Sequence, residues 1–96
     1  MTVSLFVQIK LAPGIRAQFL ELATAHQGRV RDREPTCQRF DILEQEGDDE
    51  HVCLYEVYDD QAAFDLHVNT EYMKAYLEET KDMTVGRVRY FSTIRE

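Results

Sequence analysis

Apolar and polar residues alternate strictly from Val3 to Lys10. Val3, Leu5, Val7 and Ile9 fall on one side of an extended chain, and Ser4, Phe6, Gln8 and Lys10 on the other. The pattern predicts a strand, and Phe6 gives its second face an apolar character. Pro13-Gly14 ends the strand with turn chemistry. The period then changes: Ile15, Phe19, Leu22, His26 and Val30 step by three or four, a single stripe along an amphipathic helix reaching about Arg33. Pro35 stops that helix, and the charged run Arg29, Arg31, Asp32, Arg33 and Glu34 reads as its solvated face. Alternation returns in Cys37 to Glu46 and in His51 to Tyr58, a hairpin about Gly47-Asp48-Asp49. In its second half Val52, Leu54, Glu56 and Tyr58 share one face, while Cys53, Tyr55 and Val57 share the other. Asp59-Asp60 breaks the strand, and the helix from Gln61 brings Ala63, Phe64 and His67 to one side. Asn69-Thr70 reads as a new N-cap, followed by a helix carrying Tyr72, Met73, Tyr76 and Leu77. Lys81 to Thr84 is a link. Gly86 then opens a last strand, Arg87 to Ile94, where Val88, Tyr90, Ser92 and Ile94 alternate with Arg87, Arg89, Phe91 and Thr93.

Strand, helix, strand, strand, helix, strand, joined by right-handed crossovers, makes a four-stranded antiparallel sheet with helices on one face. This is the ferredoxin-like (βαββαβ) arrangement of the α+β class, expected as one domain over residues 1–96. Bulky apolar residues on both faces of the hairpin call for a cover on the side away from the helices. The simplest cover is the same sheet of a second copy, so a homodimer packed sheet on sheet is expected.

Composition narrows the partners. Eleven Lys and Arg against eighteen Asp and Glu give a net charge of -7, which argues against nucleic acid and anionic membrane. No apolar run approaches the roughly 20 residues of a membrane span, and the N-terminus lacks a signal-peptide pattern. Cys37 and Cys53 do not lie opposite each other across the hairpin, so no disulfide is expected and a cytoplasmic setting is the default. His51 borders the turn, reads as exposed and is given no role. No Gly-rich phosphate loop follows a strand, the cysteines lack metal-finger spacing, and the histidines form no His-Glu-x-x-His motif. Neither a metal nor an organic cofactor is expected.

The remaining chemistry sits between the sheet and the helices. His26 and His67 both point toward the sheet, where Tyr55, Glu56 or Phe6 would meet them. Tyr72 and Tyr76 add phenols, and Arg87 and Arg89 fixed positive charge. Imidazoles in an apolar pocket suit proton transfer, since their pKa lies near neutrality. Taken singly, each has a plainer role: a histidine hydrogen-bonded in the core, tyrosines as core aromatics, arginines as a solvated strand face.

The combination is more telling. A histidine inside the first helix, Cys37-Gln38-Arg39-Phe40-Asp41, Tyr55-Glu56-Val57-Tyr58-Asp59-Asp60, and then His67 and Thr70 together resemble the antibiotic biosynthesis monooxygenase family over essentially the whole chain. The resemblance implies a dimeric α/β barrel of ferredoxin-like protomers. It implies oxidation of a small aromatic, quinol or polyketide-like molecule by molecular oxygen without metal or flavin. His26 and His67 would be the bases, Glu56 would orient one of them, and Phe6, Tyr55, Tyr72, Tyr76 and Arg87 would contact the substrate. A branch of the same family isomerises the phosphorylated autoinducer-2 signal and is similar in Arg39-Phe40-Asp41-Ile42-Leu43 and Tyr55-Glu56-Val57-Tyr58. There the same histidines would move protons beside a carbonyl, and Arg87 or Arg89 would hold the phosphate. A non-catalytic dimeric ligand-binding module is the third alternative. Two positions depart from the family pattern: Tyr58 stands where many members have tryptophan, and Glu71 follows Thr70 where many have a second histidine.

Overall fold

The N-terminal alternation forms the first of two central strands in a computed structural model of the chain, which describes residues 1–95. The elements run β1 (Val3–Leu11), α1 (Arg16–Arg33), β2 (Cys37–Glu44), β3 (His51–Tyr58), α2 (Gln61–Val68), α3 (Glu71–Thr80) and β4 (Thr84–Thr93). The four strands make one open antiparallel sheet in the order β2-β3-β1-β4. The expected ferredoxin-like fold is therefore present, its second helical segment divided into α2 and α3.

Side-chain parity sorts the sheet into two faces. Leu5, Val7, Ile9 and Leu11 of β1 are buried, and Val7 and Ile9 stand opposite Leu54 and Val52 of β3. Phe40 and Ile42 of β2 continue this face, and Phe19, Ala23 and Val30 of α1 and Tyr76 of α3 complete the core over it. Each Val, Leu, Ile or Phe side chain so taken from water contributes roughly 1.5–3 kcal/mol, so Phe19 and Val30 do most to hold α1 down. The other parity carries Phe6, Tyr55, Val88 and Tyr90, with Phe6 opposite both Tyr55 and Tyr90. Tyr90 is 61 % exposed and Phe6 38 %.

Local signals set the boundaries. Asp60 caps α2 by accepting from the Ala63 amide at 2.8 Å, and Thr70 caps α3 by accepting from Met73 at 3.2 Å. Gly14, with φ +73°, makes the turn into α1, as only glycine does without strain. Strand β4 begins at Thr84, three residues before the expected start, because Leu11 still pairs with Thr84 across a bulge after Lys10. Strand β2 ends at Glu44, short of Glu46. Cys37 stands opposite Tyr58 and Cys53 opposite Leu43, and both thiols are free.

The end of α1 differs most from expectation. The charge pattern puts Glu34 on a solvated face; it is 2 % exposed. A residue before proline is pushed out of the helical region by the pyrrolidine ring, and Glu34 has φ -121° and ψ 83°. Its side chain therefore leaves the helical stripe and turns inward.

Candidate functional site

Three elements converge on His67, in the last turn of α2 and 1 % exposed. Its Nδ1 lies 3.0 and 3.1 Å from the two carboxylate oxygens of Glu34. Glu34 also accepts from the Tyr72 hydroxyl on α3. A carboxylate only accepts, so the pairing puts the ring proton on Nδ1 and leaves the Nε2 lone pair facing away from Glu34. Nε2 lies 3.9 Å from Glu56 Oε1, too far for a direct hydrogen bond. Glu56, buried on β3, accepts instead from Tyr58 at 2.5 Å. Burial raises the Glu56 pKa, with the Tyr58 bond and His67 pulling the other way. Burial also pushes the Tyr72 phenol up to about 12, and its bond to Glu34 adds to the rise.

His26 is held differently. Its ring stacks on Tyr76 with centroids 4.2 Å apart and planes 8° from parallel, takes Phe40 edge-on, and lies 5.8 Å from His67. It is 1 % exposed, and no group among the described residues hydrogen-bonds either ring nitrogen. Burial, then the charges of His67 and Arg29, lower its pKa to about 4. His26 is thus a neutral imidazole at neutral pH, with one donor and one acceptor unmet.

Between these groups lies a cavity of about 60 Å³, with His26, His67 and Glu56 as its buried polar groups, Leu5, Val7, Phe40, Leu54 and Phe64 as apolar wall, and Arg87 and Arg89 on the exposed side. At roughly 10–15 Å³ per water centre, this holds a few waters or the polar end of a small ligand.

Of the residues expected at this site, His26, His67, Glu56, Tyr76 and Arg87 line the cavity. Tyr72 stands behind His67, bonded to Glu34. Phe6 and Tyr55 require correction: they pair with each other on the opposite face, and a strand residue cannot reach both sides of its sheet. Tyr55 lies instead beneath the Arg39 guanidinium, 5.9 Å away. His51, expected to be open, bonds Asp48 at 2.6 Å and is half-buried. Glu34 was missed as a site residue, although the Glu34-Pro35 pair carried the signal. Among the described residues no group of three His, Cys, Asp or Glu side chains is arranged to hold a metal ion, and no helix is long and apolar enough to cross a membrane.

A buried histidine–carboxylate pair thus stands beside an apolar cavity on one face of a ferredoxin-like sheet. Residues 2–79 match the antibiotic biosynthesis monooxygenase family, and the chain belongs to it. The uncharacterized protein sll1783 of Synechocystis sp. is 29 % identical over 75 residues, which are 78 % of this chain and 50 % of that protein, so the chain spans half the length of this curated relative. A candidate antibiotic biosynthesis monooxygenase from Caulobacter crescentus superposes with a TM-score of 0.95 at 20 % identity, covering 99 % of this chain and 91 % of that one. A second, from Nitrosomonas europaea, gives 0.89 at 22 % identity over 95 % and 88 %. At these identities the superpositions speak for the fold alone.

Proposed function

We propose that this protein is a cofactor-independent monooxygenase of a small phenol or quinol, with His67 as the base. The observation that carries this reading is the pairing of His67: Nδ1 is held by the Glu34 carboxylate and Nε2 lies on the Glu56 side, in a ring that lines the cavity. A phenolic O–H placed at Nε2 gives up its proton, and Glu34 stabilises the imidazolium that forms. His26 is the poorer base. Moving a proton from a phenol of pKa about 10 to a ring of pKa about 4 is uphill by roughly 8 kcal/mol, which suits His26 to hydrogen-bonding the ligand. The deprotonated ring then reduces oxygen. For a quinol, one oxygen atom replaces a ring hydrogen, the other leaves as water, and the product is a hydroxyquinone; the substrate supplies all the electrons. The apolar wall keeps water from the reacting anion.

The apolar outer face of Phe6, Val88 and Tyr90 supports a second element of this reading, a homodimer in which another copy covers that face. Isomerisation of a small phosphorylated dicarbonyl metabolite is the alternative, favoured by Arg87 and Arg89 beside the cavity.

The test is oxygen consumption by the metal-free protein against a panel of quinols and polyphenols. Uptake above background that disappears in His67→Ala supports the oxygenase. No uptake across the panel overturns it, and proton exchange on phosphorylated diketones is then the assay for the isomerase.

A further inference from the structure

Arg87 and Arg89 have no part in that proton transfer. They stand two residues apart on β4, opposite Ile9 and Val7, so their side chains leave the sheet on the helix side. Both line the cavity and both are exposed, whereas His26 and His67 are buried within it. Val68, at 36 % exposure, and Leu77, at 37 %, are apolar lining residues that also reach solvent. The cavity therefore has a buried polar end and an open side that is apolar and cationic.

Acids outnumber bases in this chain, eighteen to eleven. Arg16, Arg31, Arg39, Lys74 and Lys81 each lie within 4.0 Å of a carboxylate. Among the described residues, neither Arg87 nor Arg89 has such a partner. The carboxyl that Arg87 influences, Glu56, is pushed toward its neutral form by burial and already accepts from Tyr58. An arginine fork is a rigid, planar donor set matched to an acid group, and here it is left free at a cavity edge. His26, with both ring nitrogens unpartnered inside the same cavity, independently asks for a ligand that brings a hydroxyl.

We infer that the substrate is an anionic aromatic: a hydroxylated ring enters the cavity against His26, and its acid group, a carboxylate or a phosphate, is held by Arg87 and Arg89. This rests on the cavity being the substrate site, as proposed above. It assigns the arginines to binding, so their loss weakens affinity for the acid.

The experiment is anaerobic calorimetric titration, which separates binding from oxidation. Gentisate, its neutral amide gentisamide, and hydroquinone monophosphate are titrated into the wild type and into Arg87→Met/Arg89→Met, each checked for fold by circular dichroism. In the wild type at least one acid binds about tenfold or more tightly than the amide, as charge-assisted hydrogen bonds require. In the double variant that ratio falls toward one. Which acid binds more tightly distinguishes carboxylate from phosphate. Equal affinity for acids and amide overturns the inference; so does a preference that survives the double variant, or no binding of either acid at millimolar concentration. Oxygen uptake with the same compounds distinguishes the two readings. Acid bound, with no oxygen consumed here or across the quinol panel, overturns the oxygenase and leaves the anion subsite. Oxygen consumed with only the neutral compounds overturns the subsite and leaves the oxygenase.

Discussion

Replacing His26 by Phe keeps a ring on Tyr76 and removes the two unpartnered nitrogens. The effect on stability is readable from pH alone. In the unfolded chain the imidazole titrates at its ordinary 6.5, and in the folded protein at about 4. Between those values the unfolded state binds the proton first, so stability is full above pH 6.5 and is lost as pH falls toward 4. Integrating the two titrations between pH 7 and pH 4.5 gives a loss of about 2.5 kcal/mol in the wild type, which His26→Phe should not share. Glu34 at the end of α1, Glu56 on β3, His67 on α2, Tyr72 on α3 and Arg87 on β4 remain in both proteins, so the two differ only in the group at position 26. Urea unfolding followed by circular dichroism at the two pH values measures it. With slopes of roughly 1–2 kcal/mol/M for a domain of this size, the wild-type midpoint should drop by about 1.2–2.5 M more than that of His26→Phe. At pH 7 the variant should be at least as stable as the wild type, since an unmet polar pair has been exchanged for apolar surface. Parallel pH profiles for the two proteins would refute the buried, neutral His26.

Glu34→Gln keeps the shape at His67 but removes the charge that stabilises an imidazolium; turnover should fall roughly hundredfold with an unchanged circular dichroism spectrum, measured by oxygen electrode on whichever substrate the panel identifies. Tyr58→Phe leaves Glu56 without its donor at 2.5 Å, and the unmet buried carboxyl should cost about 1–3 kcal/mol in urea unfolding. Tyr90→Asp sets a charge in the middle of the apolar outer face, so it should turn the proposed dimer into a monomer in sedimentation velocity; a monomeric wild type, or a variant that stays dimeric, would overturn the sheet-on-sheet pairing.

Periodicity carried most of the fold. The three-and-four stripe of α1, the alternation in β1 and β3, the Asp59-Asp60 break and the Thr70 cap are all local signals, and each element formed where those signals lay. The candidate site was legible in part. His26, His67 and Glu56 could be brought together because each stands on the core side of its own element. Phe6 and Tyr55 were misassigned by neglecting the parity that placed Glu56 correctly: residues on either side of an inward-facing one must face out. Glu34 was lost because helical periodicity was carried one residue too far, into a position whose backbone Pro35 controls. That His26 has no hydrogen-bond partner among the described residues was not legible, since it depends on which side chains from β2, α2 and α3 surround the ring.

Glu56 and Tyr55 are covalent neighbours, yet one borders the cavity and the other belongs to the outer face. The central strands of this sheet carry two interleaved patterns, one for the helix-covered face and one for the outer face, offset by a single residue. Substitutions at alternate positions can therefore tune the two independently. An insertion or deletion of one residue that shifts the β3 pairing register would do the reverse, exchanging cavity wall for outer surface along the whole strand. A single-residue indel in such a strand is thus far more damaging than any one substitution, and lineages of this fold are expected to diversify through replacements within strands and through length changes only in the Gly47 turn and the other loops.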